Sequence, residues 1–113
     1  MLQWSIEFTD RDRALEHARD MADPWFGVNT ECNKALNAEG KAIWGTPELY
    51  AACQALDLPV VVVDGARDIR PRSAVDSLVR ALPRVRRTIL PEAGHCPWVE
   101  DPAGFRQTVA EAL

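Results

Sequence analysis

The hydrophobic pattern of residues 58–113 switches three times between the strand period and the helix period. In "LPVVVVDG", Val60–Val63 form an unbroken β-branched run between a proline and a glycine, which indicates a strand buried on both faces of a parallel sheet. "SAVDSLVRALP" instead places apolar residues at i, i+3, i+4 and i+7, which predicts an amphipathic helix ended by Pro83. "RRTIL" then predicts a second strand, and "EDPAGFRQTVAEAL" predicts a final helix capped by Asp101.

This order of elements predicts a parallel β-α-β unit. Residues 59–90 fit one right-handed crossover, because two parallel strands need a long connection between them. Only two convincing strands are present in the chain, however, and a two-stranded parallel sheet leaves unpaired backbone groups along both edges. The sequence therefore indicates part of a larger sheet.

Residues 1–57 have a different, helical and irregular pattern. "TDRDRALEHARDMADP" predicts a helix that Pro24 stops, with His17 on its polar, solvent-facing side. "FGVNTECNKALNAEGKAIWG" predicts a second helix with Gly40 as the residue just after its end. "TPELYAACQAL" predicts a third, with Thr46 as the N-cap and a proline at the first helical position.

The bulk composition narrows the class of protein. A length of 113 residues suits one small domain, and an apolar content of 47% argues against disorder. The net charge of −4, with no stretch that alternates basic and aromatic residues, argues against nucleic acid and anionic membranes as partners. No apolar run approaches the roughly 20 residues of a membrane span, and no signal peptide is recognisable. The three cysteines lack a C-x-x-C pair, so we expect reduced thiols and a cytoplasmic protein.

Two loops carry candidate chemistry. Functional groups of parallel sheets lie at the carboxyl ends of strands, where "DGARDIRP" holds Asp68 and "PEAGHCPW" holds His95. A carboxylate that accepts a hydrogen bond from one imidazole nitrogen orients the ring and leaves the other nitrogen to act as a base. Asp64, directly after the first strand, is an alternative acid. Gly65 and Gly94 are expected to let the chain turn sharply before each group.

These same segments carry a family resemblance. Residues 57–113 resemble the C-terminal part of an α/β-hydrolase-fold enzyme: the G-x-x-D after an apolar strand resembles its acid loop, and "AGH" followed by "EDP" and a final helix resembles its histidine segment. The resemblance implies Asp68 as catalytic acid, in preference to Asp64, and His95 as catalytic base. It also implies that residues 1–57 are a helical lid, within which "FGVNTECNKALN" resembles proline iminopeptidase-like members.

The expected fold class is therefore α/β: the C-terminal β-α-β-α portion of an α/β-hydrolase sheet at residues 58–113, preceded by the lid-like segment at 1–57. The departure from the family is large, because the chain has no G-x-S-x-G nucleophile motif and no oxyanion-hole H-G segment. None of its serines (Ser5, Ser73 and Ser77) lies between glycines. Cys96 would have to turn back on its neighbour His95 to replace the serine, so a packing role competes with a catalytic one.

Other candidates have ordinary structural readings beside the functional ones. Trp98 either lines a substrate pocket or packs. For a group of seven arginines, three interpretations are open: an anion-binding site, a solvated rim, or a contact with a missing half of the fold. These arginines are Arg67, Arg70, Arg72, Arg80, Arg84, Arg86 and Arg87. No set of residues has metal-ligand spacing and no glycine-rich phosphate loop is present, so we expect no metal and no cofactor.

Three functions compete. In the first, the chain supplies the acid Asp68 and the base His95 for serine-type hydrolysis of a small-molecule ester or amide, and it is inactive unless an N-terminal hydrolase half or another copy completes it. In the second, it is a non-catalytic interaction module that pairs through its open sheet edge. In the third, it is a small flavodoxin-like domain, for which it has too few strands and no phosphate loop.

Overall fold

The computed structural model describes residues 2–112, which form seven helices and two strands. Most of the predicted elements are present. In chain order the elements are α1 (Leu2–Ser5), α2 (Ala14–Ala22), α3 (Thr30–Ile43), α4 (Pro47–Gln54), β1 (Val60–Gly65), α5 (Arg72–Ala81), β2 (Val85–Leu90), α6 (Pro97–Glu100) and α7 (Pro102–Ala110).

The predicted β-α-β unit is confirmed. Strands β1 and β2 pair in parallel, in a register that runs from Val60 opposite Val85 to Gly65 opposite Leu90, and α5 connects them. Helix α5 ends at Ala81, two residues before Pro83, as the pattern predicts. Strands β1 and β2 are parallel and in register, so their carboxyl ends lie side by side. The loops after Gly65 and Leu90 therefore leave the sheet at the same end.

A partly buried ion-pair network holds this unit together. The Arg87 guanidinium on β2 donates two hydrogen bonds to the Asp64 carboxylate on β1, at 2.8 and 2.6 Å, and one to Asp76 on α5, at 2.6 Å. These hydrogen bonds raise the pKa of Arg87 and lower the pKa of Asp76. The planar guanidinium can serve both carboxylates at once, so it fixes the two strands and the crossover helix relative to one another.

The best-packed core lies beside the sheet. Phe8, between α1 and α2, is only 1% exposed and packs with small residues of α2 and with Cys96 from the segment after β2. Trp4 and Val99, both partly buried, pack against this cluster. The N-terminal segment is therefore anchored directly on the segment that carries His95.

The prediction that His17 faces solvent is wrong. His17 is buried, with its ring centroid 5.1 Å from that of Phe8, whereas Leu15 and Met21 are exposed. The physical reason is the close approach of Phe8 to the helix, which only the small side chains of Ala14 and Ala18 permit. The face that packs is thus chosen by side-chain size, and His17 lies on that face.

Helices α3 and α4 have no buried residues. Helix α3 runs through Gly40 to Ile43, so the prediction that Gly40 follows the helix end is wrong; Gly45, with a φ of +78°, occupies that position instead. The Trp44 N–H continues the helical bonding by donating to the Gly40 carbonyl, at 2.8 Å. The predicted N-cap of α4 is confirmed, because the Thr46 side chain accepts a hydrogen bond from the Leu49 N–H.

The division at residue 57 into a lid-like and a core segment stays a prediction. Residues 2–22 pack on the C-terminal part of the chain, and α4 contacts α5. Within residues 2–112, no helix combines the length and the apolarity that a membrane crossing requires.

The packing around Phe8 generates a stability prediction. We expect Phe8→Ala to lower the free energy of unfolding by about 3 kcal/mol, because it leaves a cavity in the best-buried cluster. Phe26→Ala is the matched control: Phe26 is 90% exposed, and its loss should change the free energy by less than about 0.5 kcal/mol. Urea denaturation of both variants measures the difference. Equal costs for the two substitutions would contradict the assignment of Phe8 to the core.

Candidate active site

The two candidate loops touch through their backbones. The Ala66 N–H donates to the Leu90 carbonyl at 2.9 Å, and the Arg67 N–H donates to the Ala93 carbonyl at 3.0 Å. At Gly65, a Cβ atom would collide with the carbonyl oxygens of Ala93 and Gly94. The chain does turn directly after Gly65, at residues 66–67, where the Asp68 N–H donates to the Gly65 carbonyl at 3.4 Å. Gly65 has no positive φ, however, so the close approach of the loops is what requires glycine there.

The loop of His95 is held in place by hydrogen bonds to Glu100 and Glu7. The Glu100 carboxylate accepts hydrogen bonds from the Gly94 N–H, at 2.7 Å, and from the N–H and hydroxyl of Thr9, at 2.6 and 2.5 Å. The His95 N–H itself donates to the Glu7 carbonyl, at 3.1 Å. At Gly94 too, the neighbours explain the glycine, because a Cβ atom would press on the Glu7 carbonyl and the Glu100 carboxylate.

Asp68 and His95 form a hydrogen-bonded pair. The Nδ1 atom of His95 lies 2.8 Å from Oδ2 of Asp68, whose side chain is 15% exposed while that of His95 is 37% exposed. The other oxygen of Asp68 accepts from the Arg70 N–H, at 2.9 Å. In neutral His95 this geometry places the proton on Nδ1 and leaves Nε2 as the lone-pair nitrogen, which is the arrangement of a general base.

The carboxylate of Asp68 is kept ionised. Burial on its own raises the pKa of Asp68, but the hydrogen bonds from the Arg70 amide and from His95, with the charges of both residues, outweigh it and lower the pKa below its ordinary value of 3.8. Near neutral pH the carboxylate is therefore charged and can stabilise an imidazolium beside it.

A cavity of about 260 Å³ opens beside the pair. Its walls are mostly apolar, with one ion pair between Glu7 and Arg70. Among the described residues, no group is hydrogen-bonded to Nε2 of His95, so that nitrogen is free for a reacting group. The residues that line the cavity are Trp4, Glu7, Phe8, Met21, Arg70, His95, Cys96 and Trp98.

The remaining candidates have structural roles. Asp64 is committed to Arg87, which favours Asp68 as the partner of His95. Asp101 caps α7 by accepting from the Gly104 N–H. Cys96 is buried, and burial foremost raises the pKa of its thiol, which disfavours the reactive thiolate form.

Neither the serines nor the arginines form a second site. The Ser77 hydroxyl donates to the Ser73 carbonyl inside α5, at 2.7 Å, and Ser5 belongs to α1. Four of the seven arginines are paired with separate carboxylates, so they do not converge on one anion. These pairs are Arg67 with Glu92, Arg70 with Glu7, Arg84 with Asp57, and Arg87 with Asp64 and Asp76.

Sequence reasoning missed the N-terminal contribution to the site. Glu7 and Thr9 lie in a short stretch between two helices, where no periodicity or motif marks them. Glu100 had a usable signal, because a carboxylate in the short helix after a glycine-histidine pair is within reach of the loop amides. Trp98 does line the cavity, where it also packs edge-on against Phe105.

Known proteins resemble this chain in sequence. A protein assigned as a 2-succinyl-6-hydroxy-2,4-cyclohexadiene-1-carboxylate synthase of Bacillus subtilis (strain 168) is 29% identical over 106 residues, which cover 94% of this chain and 39% of that protein. The pimeloyl-[acyl-carrier protein] methyl ester esterase of Nitrosomonas europaea is 34% identical over 67 residues, which cover 58% of this chain and 27% of the esterase. No protein-family profile matches the chain.

A solved structure resembles it in fold. The 2-hydroxy-6-oxo-6-phenylhexa-2,4-dienoate hydrolase (BphD) of Rhodococcus sp. strain RHA1 superposes with a TM-score of 0.56 and 17% sequence identity, over 96% of this chain and 38% of the hydrolase. The chain thus spans about two fifths or less of the length of each of these three proteins.

The lowered pKa of Asp68 generates a pH prediction. A carboxylate with a lowered pKa stabilises the fold above its ordinary value of 3.8 and loses that contribution as the pH falls through the lower value. We therefore expect Asp68→Asn to destabilise the protein above pH 3.8, and the difference from wild type to shrink as the pH drops further. Asp57→Asn, at an exposed ion pair, is the control and should change little. Denaturation curves across this range measure it, and a difference independent of pH would contradict the ionised pair.

Proposed function

We propose that this chain, which has the C-terminal portion of the α/β-hydrolase fold that its relatives share, supplies the acid and the base of a serine-type hydrolytic triad. The observation that carries the proposal is the 2.8 Å contact between Asp68 and His95. The two residues come from loops that follow neighbouring parallel strands, beside an apolar cavity. A pair held in this way, with one imidazole nitrogen unoccupied, is suited to activating a hydroxyl nucleophile.

The proposed reaction is hydrolysis of a small-molecule ester or amide. A serine from the nucleophile-bearing part of the fold attacks the carbonyl carbon while Nε2 of His95 takes the hydroxyl proton. Asp68 stabilises the resulting imidazolium, which then protonates the leaving alcohol or amine. In the second half, His95 takes a proton from water, the hydroxide attacks the acyl-enzyme, and the proton returns to the serine.

The nucleophile must come from outside these 113 residues. The chain has no G-x-S-x-G, and it spans 39% of the Bacillus relative. We propose that a nucleophile-bearing portion of the fold completes the site in the cytoplasm, a location in keeping with three unpaired cysteines. Residues 1–57 would then be the lid, with α1 and α2 packed beside Cys96, the neighbour of His95.

The completing portion is proposed to pair with the unoccupied edge of β1. Residues 60–63 of β1 are all valine, whereas β2 carries the exposed Arg86. Natural sheets place charged residues on edge strands and apolar runs on inner strands. Strand β1 is therefore built as an inner strand, and its second neighbour is not among residues 2–112.

One observation favours the non-catalytic alternative. Residues 25–44 expose three large aromatic side chains, those of Trp25, Phe26 and Trp44, more than a solitary soluble domain ordinarily leaves uncovered. An interaction module that pairs with a second copy would use this surface and the β1 edge, and it would need neither Asp68 nor His95.

The coding sequence upstream of the Met1 codon gives the first test. A stretch that encodes G-x-S-x-G there, in frame or one frameshift away, would support the hydrolase proposal. Unrelated sequence there would favour the interaction module.

The activity of the joined polypeptide gives the second test. We expect the 113-residue chain alone to show no turnover of a p-nitrophenyl ester, because it lacks nucleophile and oxyanion motifs. Joined to an upstream G-x-S-x-G segment, it should turn over the ester, and Asp68→Asn or His95→Ala should lower the rate by roughly 10³–10⁴-fold. Asp57→Asn should leave the rate unchanged. Turnover that survives His95→Ala would sink the proposal.

The β1 edge generates an association prediction. Val61→Lys should abolish binding of the chain to the nucleophile-bearing segment, because a charge would replace an apolar side chain of an inner strand. Ile89→Lys on β2, where the side chain is already exposed, is the control and should bind as wild type does. Light scattering of mixed and separate chains measures complex formation, and circular dichroism checks that both variants fold. Binding by Val61→Lys at wild-type strength would rule out this edge, and a homodimer of the chain alone would favour the interaction module.

A further inference from the structure

Glu7 contacts both loops of the candidate triad. Its backbone carbonyl accepts from the His95 N–H, at 3.1 Å. Its carboxylate makes a two-pronged ion pair with the Arg70 guanidinium, in which Nη2 lies 2.9 Å from Oε1 and Nη1 bonds Oε2. The backbone N–H of the same Arg70 donates to Asp68. One residue outside both loops therefore links the backbone of the base to the neighbour of the acid.

This ion pair is unlike the surface pairs of the chain. The Glu7 side chain is 16% exposed and that of Arg70 is 48% exposed, whereas the Arg13 and Glu16 side chains are 57% and 59% exposed. A two-pronged guanidinium–carboxylate contact whose carboxylate is largely buried is more directional than a single-bonded pair between two exposed side chains. The contact with Glu7 can therefore fix the position of the Arg70 side chain, whereas a pair between two exposed side chains does not fix either of them.

The connection has a consequence for the triad. The Asp68–His95 hydrogen bond joins two loops that are otherwise linked near the pair by backbone bonds at Ala66 and Arg67 and by the exposed Arg67–Glu92 ion pair. Without the Glu7–Arg70 pair, the loop that carries Asp68 loses one of its contacts with the segment around Glu7, which also binds the His95 backbone. The loop would then sample orientations in which the carboxylate leaves Nδ1.

We propose that Glu7 is a positioning residue, which holds Asp68 and His95 in hydrogen-bonding register by tying Arg70 to the His95 loop. The inference rests on the proposed function in one respect, since it takes Asp68 and His95 as the working pair. Glu7 also lines the cavity beside His95, but the proposal assigns it no proton transfer: its role is to position the two loops.

The test follows the His95 Nδ1–H proton by NMR in the full 113-residue chain, with ¹⁵N-labelled histidine. In the wild type this proton should be protected from exchange with water by its hydrogen bond to Asp68. Glu7→Gln keeps the backbone carbonyl and the side-chain shape but removes the charge, and it should speed the exchange by roughly tenfold. Arg70→Gln keeps the N–H bonded to Asp68 and should act equally. The double variant should be no worse than either single variant, because both remove one interaction.

Two controls separate positioning from general stability. Glu16→Gln removes the exposed pair with Arg13 and should leave the His95 exchange rate unchanged. The backbone amides of β1 and β2 should exchange at wild-type rates in Glu7→Gln and Arg70→Gln. If the strand amides accelerate in proportion to the His95 proton, the effect is global and the positioning role is overturned.

The remaining outcomes distinguish the inference from the function on which it rests. Wild-type exchange of His95 in both Glu7→Gln and Arg70→Gln would overturn the inference alone. Absence of a protected Nδ1–H signal in the wild type would overturn the pair itself, and with it both proposals. Faster exchange in Glu7→Gln, with no ester turnover by the joined polypeptide, would leave the positioning role standing and the proposed function refuted.

Discussion

The arrangement of the site depends on the close approach of two backbone segments at the end of a parallel strand pair. Gly65 lies against the carbonyls of Ala93 and Gly94, and a Cβ atom at that position would push the two segments apart. Because the loops meet there, the next few residues of each can reach across, and Asp68 comes within 2.8 Å of His95. The glycine acts through the space it leaves free, and the conformational freedom of its backbone is not needed.

Further polar interactions around this contact fix the positions of the strands and of the two loops. Arg87 secures the strands through Asp64 and leaves Asp68 as the carboxylate for His95. The Glu100 carboxylate accepts hydrogen bonds from the Gly94 and Thr9 amides, and so it joins the N-terminal segment to the His95 loop. Each of these partly buried charges is thus matched by hydrogen-bond donors or by an opposite charge, as partial removal from water requires.

The apolar surface of the chain is far less complete than its polar network. The core is centred on one fully buried large side chain, Phe8, while the valines of β1 are only half-buried and α3 buries nothing. A small chain that covers so little of its apolar surface gains little stability from burial. The absence of a nucleophile motif is independent of this apolar exposure, and both observations support the proposal that a further portion of the fold completes the molecule.

The sequence by itself determined the local elements and the identity of the pair. The valine run, the helix period of α5 and the prolines at helix ends act over a few residues, so β1, α5, β2 and the resemblance at Asp68 and His95 could be identified without a structure. Only the tertiary structure decided which face of α2 packs, burying His17, and where α3 ends. It alone placed Glu7 beside Arg70, since contacts between residues 63 positions apart depend on how the chain is packed and leave no periodic signal. Local preferences act over a few neighbouring residues and fix the helices and strands. Side-chain size and charge pairing then determine how these elements pack against one another.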